Sequence, residues 1–109
     1  MQLKIVPGYE GGIVIGQRKT YVFYGNGPKS YANPGGDPLS GPFSEYIDYV
    51  APTMSVSKTY EINFFPSTVG TTRATWTAKW YVVSTGAEVA GATDLSGESI
   101  QFMALAGEF

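Results

Sequence analysis

The chain is 109 residues long, with a formal net charge of −2, 43% hydrophobic residues and 15% charged ones. That length gives one domain, residues 1–109, able to bury a core without staples, and the acidic balance argues against a nucleic-acid partner, whose phosphates need a basic surface. Histidine and cysteine are both absent, and with them the side chains that most often serve as general base, thiol nucleophile or transition-metal ligand near neutral pH, so the reading is of a non-enzymatic protein with no cofactor and no metal.

In chain order, short strands are expected near Leu3 to Val6, Ile13 to Ile15 and Thr20 to Tyr24, parted by Pro7-Gly8 and by Gly11, Gly12 and Gly16. No apolar run approaches the roughly 20 residues of a membrane span, and residues 1–7 lack the apolar stretch of a signal peptide, so the chain reads as a mature intracellular product with no membrane partner. Residues 25–42 hold five glycines (25, 27, 35, 36, 41) and four prolines (28, 34, 38, 42). That density rules out helix or central strand and predicts an extended loop or arm over 25–43, with Tyr31, Leu39 and Phe43 laid against a surface.

A strand is expected over Ser44 to Val50, and a longer one over Met54 to Phe65. In the longer one Met54, Val56, Tyr60, Ile62 and Phe64 alternate with Ser55, Ser57, Thr59, Glu61 and Asn63, and only Lys58 breaks the pattern. Pro66 and Gly70 close it. The most regular segment is Thr71 to Val83, where Thr72, Ala74, Trp76, Ala78, Trp80 and Val82 alternate with Thr71, Arg73, Thr75, Thr77, Lys79 and Tyr81. A period of two over that length marks a strand with one face on a core. A turn at Ser84-Thr85-Gly86, an irregular stretch from Ala87 to Gly97 and a last strand from Glu98 to Leu105 complete an all-β chain. The expected fold is a small antiparallel β-sandwich with Trp76, Trp80, Tyr60, Ile62, Phe64 and Val82 in one core.

The constellations that could carry chemistry are sparse. Glu45 and Asp48, three apart, fall on opposite faces of a strand, which spoils a paired-carboxylate site. Asp37 and Asp94 sit among turn-forming residues and read as turn caps, not calcium ligands. Gly25-Asn26-Gly27 lacks the lysine-hydroxyl pair and the following helix of a phosphate loop, and reads as a turn. Charged residues fall well under the roughly 25% of an average soluble domain, and such a surface suits either a Ser/Thr/Gly-rich sandwich or a protein packed against neighbours.

The charge is also uneven. Lys4, Arg18, Lys19 and Lys29 against Glu10 give the first 30 residues 4 − 1 = +3, whereas Glu88, Asp94, Glu98 and Glu108 give residues 80–109 a charge of −4. These ends either neutralise each other within one fold or let one copy dock on another or on an acidic lattice. Tyr24, Tyr31, Tyr46 and Tyr49 flank the Gly/Pro segment, where large amphipathic rings serve as interface anchors or as platforms for sugar rings. With Leu39, Phe43 and the basic Arg18 and Lys19 they make up the expected partner interface.

The stretch Ala74-Thr75-Trp76-Thr77-Ala78-Lys79-Trp80-Tyr81-Val82-Val83-Ser84-Thr85-Gly86-Ala87-Glu88-Val89, followed by Ile100, Leu105 and Gly107, resembles immunoglobulin-like domains of tailed-bacteriophage virion proteins. Those domains show a strand tryptophan, a Gly-containing turn, a valine and a late strand ending in Leu-x-Gly. The resemblance implies an immunoglobulin-like sandwich with a structural role in a virion assembled in the host cytoplasm. It implies a capsid decoration or cement protein that binds the major capsid protein or another shell protein and further copies of itself, ahead of a tail or neck adaptor. The competing reading is a carbohydrate-binding or host-attachment module.

Overall fold

The computed structural model describes residues 1–16, 18–42, 46–67 and 75–106, with residues 15, 18, 67 and 106 described by backbone alone. Over these residues the period-two patterns become nine strands: β1 (Lys4–Ile5), β2 (Ile13–Ile15), β3 (Arg18–Asn26), β4 (Asp37–Pro38), β5 (Ile47–Val50), β6 (Thr53–Met54), β7 (Tyr60–Ser67), β8 (Thr75–Val82) and β9 (Ser99–Ala106). They form two antiparallel sheets. One runs β1-β3-β9-β5 with β2 also paired to β3, the other β4-β8-β7-β6. This is the all-β sandwich that the alternation predicts.

The β3–β9 pairing is the spine of the first sheet. Tyr21 faces Ala104, Phe23 faces Phe102 and Gly25 faces Ile100, and all six are buried. From the other sheet Ile62, Phe64, Trp76, Ala78 and Trp80 are buried against them. Phe64 and Phe102 meet across the sandwich with ring centroids 4.9 Å apart, and Tyr60 packs edge-on to Trp80 at 5.8 Å. Such side chains each contribute about 1.5–3 kcal/mol by leaving water. The Trp76 indole N–H donates to the Ile47 carbonyl at 2.8 Å, which ties β8 to β5 in the opposite sheet. Trp76, Trp80, Ile62 and Phe64 join the core, with Tyr60 and Val82 partly buried against it.

Two expectations are corrected. The segment from Met54 to Phe65 is a hairpin, not one strand: β6 ends at Met54, the chain turns through residues 55–59, and β7 starts at Tyr60. Lys58, the break in the alternation, sits in that turn with φ +62° and donates its amide to the Ser55 carbonyl at 2.8 Å, so Met54 and Val56 lie in solvent.

The Gly/Pro segment lies against the fold as expected, but it is not all loop: Gly25 and Asn26, expected in a turn, continue the central strand β3 and pair with Ile100 and Ser99. Asp37 and Pro38 pair with Ala78 and Thr77 as an edge strand, and Leu39 donates its amide to the Trp76 carbonyl at 2.9 Å. Gly36 lets the chain come this close. Its φ is +81°, and a Cβ there would lie 2.9 Å from the Ala78 carbonyl oxygen, so any L side chain would push the edge strand away.

Candidate interaction face

The expected interface residues do not share one surface. Tyr31 is 1% exposed and Leu39 is buried beside it in the core, so neither can anchor a partner. The Tyr31 hydroxyl donates to the Glu88 carboxylate at 2.8 Å and accepts the Trp80 amide at 3.1 Å, which pins the Gly/Pro segment to β8. Burial raises this hydroxyl's pKa well above the ordinary tyrosine value of 10, and the Glu88 carboxylate adds to the rise. Tyr46 is half-buried and Tyr24 is half-buried on β3, whereas Tyr49 on β5 and Lys19 on β3 are exposed. Phe43 and Glu45 lie outside the described residues, as does the Arg18 side chain; the Arg18 backbone pairs with Ile15.

The aspartates divide. Asp94 caps its turn, accepting the Ser96 amide at 2.9 Å and the Ser96 hydroxyl at 2.6 Å, and these bonds hold its carboxyl below the usual range. Asp37 does something else. It is buried and accepts the Met1 amino group at 2.6 Å, while the same ammonium donates to the Pro38 carbonyl at 2.6 Å. The amino terminus thereby closes over β4, and Leu3 adds a bond from its amide to the Ser40 carbonyl at 2.6 Å.

No ion pair among the described residues joins Lys4, Lys19 or Lys29 to Glu88, Asp94 or Glu98. Nor do the described residues hold any group of three or more acidic side chains placed to share a metal ion, and no helix is long and apolar enough to cross a membrane. Ser55, Ser57 and Glu98 form a hydrogen-bonded chain in which Ser57 donates to Glu98. This chain ties the 55–59 turn to the start of β9.

What the first sheet presents outward is more telling. In register across four strands, Ile13 faces Thr20, Thr20 faces Leu105, and Leu105 faces Tyr49. One step along, Val22 faces Met103. Thr20 and Val22 are covered and form a floor, while Met103 is 60% and Tyr49 56% exposed, with Ile13 and the neighbouring Tyr9 also in solvent. Tyr9, Ile13, Val22, Gln101, Phe102 and Met103 line a shallow groove of about 350 Å³. This row carries no charge.

Tyr49 was in the expected interface; Tyr9, Ile13, Met103 and Leu105 were not. The signal was in the last strand, where Ser99, Gln101, Met103 and Leu105 alternate with the buried Ile100, Phe102 and Ala104, so that two of its four outward positions, Met103 and Leu105, are apolar. A strand greasy on both faces needs something against each.

The other half of the same face is polar. Lys4 and Tyr24 are in register on β1 and β3, and Gln101 stands opposite Tyr24 on β9. The outer face of the second sheet is mixed, with the Lys79 ammonium 5.1 Å above the Phe65 ring. Compared with family models, with curated proteins and with solved structures, the chain matches none.

Proposed function

We propose that this chain is a non-enzymatic assembly protein of a virion, a decoration or cement protein that docks on the shell through the outer face of its first sheet. The observation that carries this reading is the uncharged row Ile13-Thr20-Leu105-Tyr49 with Val22 and Met103 beside it, on the face away from the core, with Ile13, Tyr49 and Met103 left in water over the covered Thr20 and Val22. Contiguous exposed apolar patches on a small domain mark interaction sites. Interface cores are depleted in charge and enriched in tyrosine and methionine, which is the composition of this row. Its occupant is a protein surface of the same kind, apolar and uncharged, as a shell subunit or a neighbouring copy would supply.

The resemblance of the Trp76 to Val89 stretch to virion domains supports the setting. The reading is tested by mass spectrometry of purified particles from the phage that encodes the chain, followed by reattachment of variants at equal folded concentration. Met103→Glu puts a charge at an exposed position between the buried Phe102 and Ala104, and is expected to lower particle occupancy at least about tenfold, since burying an unpaired charge costs several kcal/mol. Absence of the chain from particles, or wild-type occupancy for Met103→Glu and for Tyr49→Lys, overturns it.

A further inference from the structure

The amino-terminal edge of the first sheet contains a cleft of about 390 Å³ whose outward walls include Gln2, Lys4, Tyr24 and Asn26, a size within the range of about 300–1,000 Å³ typical of small-ligand sites. Its contents follow from the strand period. Lys4 and Tyr24 are a registered pair, Asn26 lies two residues beyond Tyr24 on the same face, and Gln101 stands in register beside Tyr24. One half-buried aromatic ring thus shares the cleft with two side-chain amides and one ammonium, and the amide of Gln101, which lines the neighbouring groove, stands at its margin.

Several of their polar groups are available. The Asn26 amide nitrogen donates to the Ser96 carbonyl at 3.0 Å, which fixes the amide's orientation and leaves its oxygen as an acceptor. Gln2 accepts the Ser40 hydroxyl at 3.1 Å through its oxygen, leaving its nitrogen to donate. Among the described residues no carboxylate pairs with Lys4.

We infer that this cleft is a saccharide-binding subsite. A pyranose ring has an apolar C–H face, which an amphipathic tyrosine ring can cover, and vicinal hydroxyls that need donors and acceptors side by side, which amides supply from one group. Tyr24 offers the first and Gln2, Asn26 and Gln101 the second. The single cation adds a preference for a saccharide that carries a carboxylate. A folded apolar peptide would leave these amides and the ammonium unpaired. The inference does not depend on the shell-docking reading, because Gln2, Lys4, Tyr24 and Asn26 line the cleft and none of them lines the Met103 groove.

The test uses the full chain. A glycan array of bacterial surface polysaccharides is screened first, and ¹⁵N NMR titrations then follow a neutral probe, maltohexaose, and a carboxylated one, trigalacturonate. The expected result is binding to array glycans and saturable shifts at Gln2, Lys4, Tyr24, Asn26 and Gln101. Tyr24→Ala should weaken binding about tenfold or more, in line with the worth of an aromatic contact. Exposed-site variants guard against a folding defect in Tyr24→Ala: Gln101→Ala should also weaken binding, and Lys4→Met should weaken trigalacturonate more than maltohexaose. Tyr49→Ser should bind glycan like the wild type. No binding on the array, shifts confined to other surfaces, or unchanged affinity in both Tyr24→Ala and Gln101→Ala overturns the inference, as does a Tyr24→Ala variant that loses particle occupancy and no glycan affinity.

Discussion

Replacing Asp37 by alanine removes the carboxylate that faces the Met1 ammonium at 2.6 Å in a site where both residues are buried. The ammonium keeps the Pro38 carbonyl as an acceptor, but a neutral carbonyl does not offset a charge withdrawn from water. Removing one partner of a buried ion pair costs about 3–5 kcal/mol, chiefly because the other charge is left behind. The loss should sit at the lower end of that range, since one hydrogen bond survives, and even that is a large part of the roughly 5–15 kcal/mol that holds a domain folded. Asp37→Asn keeps an acceptor in place and deletes only the charge, for a smaller loss on the order of 1–3 kcal/mol. The assay is urea denaturation at neutral pH. With a slope of about 1–3 kcal/mol/M, Asp37→Ala should move the midpoint down by at least about 1 M. A loss under about 1 kcal/mol for Asp37→Ala would refute the argument, because it would mean that the ammonium reaches water without its partner.

Trp80→Ala should destabilise by about 3–5 kcal/mol through the cavity left in a fully buried site, and a loss under about 1 kcal/mol in calorimetry would contradict the assigned strand faces. Thr20 has a buried hydroxyl with no hydrogen-bond partner among the described residues, so Thr20→Val, nearly isosteric and suited to a strand, should raise stability by about 1–2 kcal/mol. Tyr31 stays neutral in the fold above its ordinary pKa, whereas the unfolded chain ionises near pH 10. Its contribution is therefore complete below about pH 10 and is lost as pH rises through the folded value. A Tyr31→Phe variant, compared with the wild type in melts from pH 9 upward, should show a shallower alkaline decline, and parallel curves would count against the burial argument. Deleting Asn33 to Ser40 should unfold the domain, since it takes away Asp37, Leu39 and β4 together; a folded deletion variant by near-ultraviolet circular dichroism would disprove this.

The long strands were legible because a period of two over eight residues has no competing explanation, and Trp76, Ala78 and Trp80 are buried where the alternation places them. The hairpin at 55–59 was not, because the alternation on its two sides is in phase and its one break, Lys58, is equally compatible with an edge strand, which hides the reversal. Glycine and proline density in 25–42 described the backbone correctly as irregular, but it carries no information on whether Tyr31 or Leu39 points inward. That depends on β8, some 40 residues away in sequence. The Met1–Asp37 pair is equally nonlocal, and nothing near Asp37 distinguishes it from the turn-capping Asp94. The apolar row was legible in part: β9 shows it in its own sequence, while its other members come from β2, β3 and β5 and meet only through register.

That register also makes binding separable from stability in this fold. On β9 the inward residues Ile100, Phe102 and Ala104 are buried and the outward Gln101 and Met103 are exposed, so a substitution at 101 or 103 changes what the sheet presents without opening the core. Gln101 stands where the apolar and polar halves of the face meet, in register with Tyr24 and lining the groove beside Met103. A charge introduced at Met103 acts on the row that ends at Tyr49, whereas Lys4 lines the cleft around Tyr24 and not that groove. Because the sheet is held through β3 by the registered pairs of β1 and β9, either effect is transmitted to the other half only if the whole sheet shifts, which a cooperative two-state domain would report as a change in stability. Variants of Lys4 and Met103 with unchanged melting points therefore isolate the two surfaces, and a loss of function in either can be assigned to the contact that was altered.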